Sequence, residues 1–262
     1  MILVIGIDGA TWKIISPNIK QLPTLKHLCK VGNASTITVE GSIKSAPLWC
    51  SMFSGKTPEE HGHLDFIDTI YGDRTIRKRN DIHVDFIWDI LKSKDYDVVA
   101  INIPFVIPPF TIGSAYKSVG FGLPMNPEEW QQELDQLSAV VSALLEPKPP
   151  DVLIAVYTIL DRIQHLHWGE PVVLDWYKQV DIKLGILVEQ LSKEDKLIVV
   201  SDHGFCSFGE AREKTLPEIT STGDRIKGDH HEEAILITKN VNYKIERTID
   251  IFNAIHFAVE GV

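Results

Sequence analysis

Aspartate and histidine occur together at four places in this chain: Gly6-Ile7-Asp8-Gly9, Asp161 with His165 four residues on, Ser201-Asp202-His203-Gly204, and Gly228-Asp229-His230-His231. Carboxylate and imidazole without thiolate form an oxygen/nitrogen donor set that suits zinc or manganese. Each place also has a plainer reading. Asp8 can cap a turn, and Asp161 with His165 can be a surface pair on one helical face. Asp202-His203-Gly204 can end a strand with glycine supplying a positive φ, and His230 can be a surface histidine. Their common position relative to the surrounding elements is harder to assign to chance.

Those elements follow from the apolar pattern. Runs rich in Val and Ile span Ile2 to Ile7, Ser35 to Val39, Asp97 to Ile103, Val152 to Tyr157, Lys196 to Ser201 and Ala234 to Thr238. Four are almost wholly apolar, as strands covered on both faces are. Helical periodicity separates them: Leu25, Leu28 and Val31 share one face, as do Phe86, Ile87, Ile90 and Leu91. Asn126-Pro127-Glu128-Glu129 reads as a helix start, and Leu174 to Leu191 carries another apolar stripe. Alternating strands and helices predict a three-layer α/β/α sandwich around a mostly parallel sheet. In such sheets functional groups gather beyond the carboxyl ends of the strands, where Asp8, Asp161, Asp202 and His203 fall. Asp68 to Asp81 and Cys206 to Gly228 are aperiodic and are expected to be loops bordering the site, with a lid as one role. Pro147-Lys148-Pro149-Pro150 is expected to be a loop inside a single domain of residues 1–262.

The candidate nucleophile is Ser45, in Ser45-Ala46-Pro47-Leu48-Trp49, followed by Ser54-Gly55-Lys56-Thr57-Pro58-Glu59-Glu60-His61-Gly62. With GxDG at the start, DxxxH at Asp161, SDHG at Ser201 and a late histidine, all in this order, the chain resembles the alkaline phosphatase superfamily. The resemblance is closest to the type I phosphodiesterase/nucleotide pyrophosphatase branch and extends to Ile87-Trp88-Asp89, Asn102-Ile103-Pro104 and Pro108-Pro109. It implies an alkaline-phosphatase-like fold and two divalent cations, zinc or manganese. Asp161, His165 and His230 would hold one; Asp8, Asp202 and His203 would hold the other, with Ser45 Oγ joining them. His231 competes with His230 for its role, although Gly228-Asp229-His230 fits the family spacing better. His61 reads as a supporting residue, His63 stands where an apolar residue is usual, and His167 reads as a neighbour. The implied reaction is hydrolysis of a small phosphate ester through a phosphoseryl intermediate. Two departures stand out. Serine replaces the branch's usual threonine, and Phe66 stands where nucleotide pyrophosphatases carry a phosphate-binding asparagine. Lys44, Lys56 and Arg162 are the candidate replacement donors. A sulfatase needs arginine two residues after the motif's proline, and position 49 is Trp. A phosphomonoesterase or phosphomutase on the same scaffold, and a catalytically silent binding protein, are the alternative readings.

Composition narrows the setting. The 262 residues carry 26 Lys+Arg against 36 Asp+Glu, a formal charge of −10, which speaks against a nucleic-acid polymer as partner. The densest basic run, Arg74-Arg77-Lys78-Arg79, is short enough for a solvated loop. Hydrophobic residues at 44% and charged residues at 24% argue against disorder. Cys29, Cys50 and Cys206 form neither a disulfide framework nor a zinc-finger spacing, and the apolar start ends at Asp8, too short for a membrane span or signal peptide. A cytoplasmic location away from membranes is therefore expected, and the sequence specifies no oligomeric state.

Overall fold

A computed structural model describes residues 1–65, 67–70, 73–76, 82–104, 126–220 and 223–261, the two short segments 67–70 and 73–76 by their backbone. In chain order the elements are β1 (Ile2–Ile7), α1 (Trp12–Asn18), α2 (Pro23–Val31), β2 (Asn33–Thr38), α3 (Ser45–Ser54), α4 (Pro58–His61), β3 (Ile67–Ile70), β4 (Asp73–Ile76), α5 (Ile87–Lys92), β5 (Val98–Ile101), α6 (Pro127–Leu144), β6 (Val152–Tyr157), α7 (Ile159–His167), α8 (Pro171–Glu189), β7 (Lys196–Val200), β8 (Gly204–Ser207), β9 (Gly228–His231), β10 (Glu233–Lys239) and α9 (Asp250–Glu260).

Six strands form the central sheet in the order β2-β10-β7-β1-β6-β5. β1 pairs in parallel with β6 and β7, and β5 in parallel with β6. β10 lies antiparallel between β7 and β2, so it alone runs against the other strands. The apolar runs are explained by the two-residue period of a strand covered on both faces. Along β1, Leu3, Ile5 and Ile7 enter one core with helices α2, α6, α7 and α8, while Ile2 and Val4 enter the other with α3, α5 and α9. Both layers are well covered: Trp49 and Phe53 of α3 and Leu134 and Val141 of α6 are fully or almost fully buried. The expected α/β/α sandwich with a mostly parallel sheet is the observed architecture.

Several boundaries differ from expectation. Asp68 to Asp81 is not simply aperiodic, because β3 and β4 pair antiparallel with Ile67 opposite Ile76. Cys206 to Gly228 begins and ends in a second ribbon, β8 on β9, and is pinned between by an antiparallel bridge of Ile219 and Arg225. In both, hairpin pairing replaces the apolar period that would have announced a strand. The run Asp97 to Ile103 stops early, since Asn102 takes φ +55° and closes β5 at Ile101. Val31, placed on the buried face of α2, is 47% exposed, because the helix ends there, before β2 begins at Asn33. Phe66, the basic residues Arg77, Lys78 and Arg79, and the Pro108-Pro109 pair lie outside the described residues. No helix among the described residues is long and apolar enough to cross a membrane.

Candidate metal centre and nucleophile

The candidate residues sit where the sheet's strands hand over to loops. β1 is followed by Asp8, whose N–H donates to Tyr157 O of β6 at 2.9 Å, and the chain turns at Gly9 with φ +68°. Glycine is required there twice over: the left-handed φ disfavours a side chain, and a Cβ would lie 3.2 Å from Asp161 Cα in α7. Gln164 Nε2 donates to Gly9 O at 2.8 Å, while Tyr177 Oη of α8 donates to Gln164 Oε1 at 2.9 Å and accepts from Thr11 N at 3.0 Å. This buried chain of hydrogen bonds locks the first turn against α7 and α8.

Ser45 opens α3, with its Oγ 3.4 Å from Asp8 Oδ1 and 3.1 Å from His203 Nε2. Trp49, one helical turn on, donates its Nε1–H to Asp8 Oδ2 at 3.1 Å and so fixes that carboxylate. His203 follows β7, while His165 sits in α7 and His230 in β9.

Each of these three imidazoles meets a backbone carbonyl through Nδ1: His165 with Gly228 O at 2.9 Å, His203 with Gly204 O at 2.8 Å and His230 with Ile43 O at 2.6 Å. A carbonyl only accepts, so each Nδ1 carries a proton, and each ring in its neutral form turns its Nε2 lone pair inward. There Asp161 Oδ1 lies 3.1 Å from His230 Nε2, 3.3 Å from His165 Nε2 and 3.8 Å from His203 Nε2. Asp8 Oδ1 and Asp202 Oδ2 approach His203 Nε2 at 3.3 and 3.4 Å. The rings of His203 and His230 stack with centroids 3.5 Å apart.

Among the described residues two groupings result, each compact enough to hold a metal ion: Asp161, His165 and His230, and Asp8, Asp161 and His203. Asp161 belongs to both. Asp202, expected in the second set, borders it through His203, its Oδ1 accepting from Gly9 N at 3.4 Å.

The donor chemistry fits divalent cations. Asp161 Oδ1 and Asp202 Oδ2 are buried without a hydrogen-bond partner, and the His165 and His230 Nε2 atoms face each other at 3.1 Å. Such an arrangement is costly without a positive charge at its centre. Burial, together with the charge of Asp8, drives the Asp202 carboxyl well above the usual carboxylate range. Against the opposing effect of burial, His165 and His230 hold Asp161 well below it. The carboxylates of Asp202, Asp8 and Asp161 likewise overcome burial to raise His203 to about 10, whereas burial and the neighbouring His203 lower His230.

The remaining candidates are engaged elsewhere. Lys44 Nζ pairs with Asp65, Lys56 lies 4.0 Å from Glu60 on the exposed start of α4, and Arg162 is clamped by Glu133 at 2.6 Å and Thr158 at 2.9 Å. His61 Nε2 contacts Ser51 Oγ at 2.9 Å and His63 is buried; neither joins the two groupings. His167 contacts Glu170 at 2.8 Å, and the ring of His231 faces Glu232 and Glu233. Sequence reasoning missed Trp49, Gln164 and Tyr177. Only Trp49 carries a local signal, four residues beyond Ser45 on the same helical face.

A sheet of this topology with Asp/His groupings and a helix-initiating serine at one edge defines an alkaline-phosphatase-like hydrolase of phosphoric esters. The family model described as type I phosphodiesterase/nucleotide pyrophosphatase matches residues 2–243, and the chain belongs to that family. Among solved structures, phosphonoacetate hydrolase from Sinorhizobium meliloti 1021, in complex with phosphonoformate, superposes with a TM-score of 0.71 at 13% identity, covering 98% of this chain and 95% of its own. Murine ectonucleotide pyrophosphatase/phosphodiesterase 5 gives 0.71 at 14% identity, covering 98% and 94%. An inactive form of that murine protein in complex with AMP gives 0.70 at 14% identity, with the same coverage. At these identities the likeness is one of fold. No protein of curated function matches the sequence.

Proposed function

We propose that this hydrolase is a metal-dependent phosphodiesterase of small phosphate esters, with Ser45 as nucleophile and two divalent cations, zinc foremost and manganese as the substitute. Asp161, His165 and His230 would hold one cation, and Asp8, Asp202 and His203 the other. The observation that carries the reading is Ser45 Oγ, almost fully buried and within 3.4 Å of both Asp8 and His203. A serine hydroxyl is a weak nucleophile unless its proton is drawn off. Cations bound there would withdraw electron density from the phosphoryl oxygens and lower the pKa of the serine hydroxyl and of the hydrolytic water, the latter towards about 7.

The chain's own groups do the rest. Asp8, held by Trp49, and His203, held by the Gly204 carbonyl, would orient Ser45 Oγ for attack. Ser45 Oγ would give up its proton to solvent and bond to phosphorus as the ester oxygen leaves and takes up a proton; water would then break the phosphorus–Oγ bond, releasing the phosphate product and restoring the hydroxyl. The N-terminus of α3, which Ser45 opens, would place its positive end beside a phosphoryl group under attack by that serine. Phosphonoformate and AMP, bound by the similar structures, support a small phosphorus-containing substrate.

Turnover of bis(4-nitrophenyl) phosphate and of 4-nitrophenyl phosphate, with zinc or manganese, tests the reading. Wild type is expected to prefer the diester, and Ser45→Ala to lose at least about 10³-fold in kcat. Preference for the monoester would replace the phosphodiesterase assignment by phosphomonoesterase. Undiminished turnover by Ser45→Ala, or by chelated enzyme, would overturn the mechanism.

A further inference from the structure

We propose that Arg212 and Glu213 form a latch that positions both Ser45 and His230, an inference that rests on the site reading above. The segment between β2 and α3 leads directly to Ser45, and its last ladder-like contact is Val39 N to Glu232 O at 2.8 Å. Beyond it the chain turns at Gly41, φ +71°, where a Cβ would meet nothing within 4 Å, so packing does not hold the turn. Two adjacent side chains do. Arg212 Nη2 donates to Val39 O at 3.1 Å and to Gly41 O, while Glu213 Oε2 accepts from Ser42 Oγ and Ile43 N, each at 3.3 Å.

Ile43 then turns its carbonyl to His230 Nδ1 at 2.6 Å, with its side chain fully buried, and Ser45 follows two residues later. The same short stretch reaches the other side of the site. Thr215 donates through N and Oγ1 to Asp229, which also accepts from His230 N at 2.9 Å. Residues 212–215 therefore grip the chain leading to the nucleophile and the residue before His230 at once. A pair serving only to solvate the surface has no reason to direct three of its contacts at backbone atoms of one loop. Groups that orient a ligand's supporting carbonyl affect metal affinity without touching the metal.

Three readouts test the latch on Glu213→Ala, Arg212→Ala and Glu213→Gln. In the metal-free chain, deuterium exchange of the peptide covering 39–45 is expected to accelerate in both alanine variants. Zinc titration is expected to show one of two sites weakened about tenfold, and kcat for bis(4-nitrophenyl) phosphate to fall about tenfold with KM within twofold. Glu213→Gln keeps an oxygen that accepts the same bonds and is expected to stay within twofold of wild type in all three. Wild-type exchange and zinc affinity in both alanine variants would overturn the latch, as would a glutamine variant as impaired as alanine. Absence of zinc binding or diester turnover in wild type would instead overturn the site reading, and the exchange measurement needs neither.

Discussion

At the scale of residues, the notable fact is how the protons are arranged. All three site imidazoles spend Nδ1–H on a carbonyl, so any proton on Nε2 competes directly with a cation. In the metal-free chain His203 is raised to about 10, which means it is protonated at neutral pH and must lose that proton to become a ligand. Zinc added to the metal-free protein at pH 8 is thus expected to release protons, with affinity rising as pH climbs towards 10. A titration followed by a pH-indicator dye reads this directly, and pH-independent binding without proton release would contradict it. Asp8, Asp161, His165, Asp202 and His203 were legible in the sequence because each follows an apolar strand or lies at helical spacing, whereas His230 precedes a strand and is set above His231 only by the family spacing. Gln164, Arg212 and Glu213 were not legible, because a hydrogen bond between distant segments leaves no periodic trace. The sharing of Asp161 by both groupings was equally hidden, since it depends on the approach of α7 to β1 rather than on spacing.

At the scale of elements, β1, α7 and α8 act as a unit through Tyr177. Replacing it by Phe strands Thr11 N–H and Gln164 Oε1 in a buried setting. A loss of about 1–3 kcal/mol is expected from two such groups sharing one lost hydroxyl, measurable as a lower urea midpoint at unchanged slope. No loss would mean that the network does not tie the turn at Gly9 to the helices. The strands read cleanly from the sequence because both faces are buried and the apolar runs are continuous. The β3–β4 and β8–β9 ribbons did not, since each is four residues long and neither belongs to the central sheet. Val31 misled for a related reason: periodicity continues to the end of a helix even where the packing partner does not.

For the whole molecule, the formal charge of −10 misdescribes the site. Under the two-cation reading, Asp8, Asp161 and Asp202 face four positive charges, so a phosphate meets a positive centre inside an acidic protein. Cation binding to the native state alone also raises stability by mass action. At a free zinc concentration about 100-fold above Kd a site contributes about 2.7 kcal/mol, which for a chain of this size corresponds to a rise in Tm of about 5–10 °C. Calorimetry with zinc and then with chelator measures it, and a Tm indifferent to both would argue against a metal site. The β8–β9 ribbon has one more consequence. Phe205 pairs with His230 and Gly204 with His231, so the distance between the stacked rings of His203 and His230 is set by a single antiparallel register. The connection between the two strands, residues 208–227, departs from the far end of that ribbon. The ribbon works as a caliper whose jaws are set by the strand register, and whose handle can be lengthened or rewritten only outside residues 212–215, which grip Ile43 and Asp229.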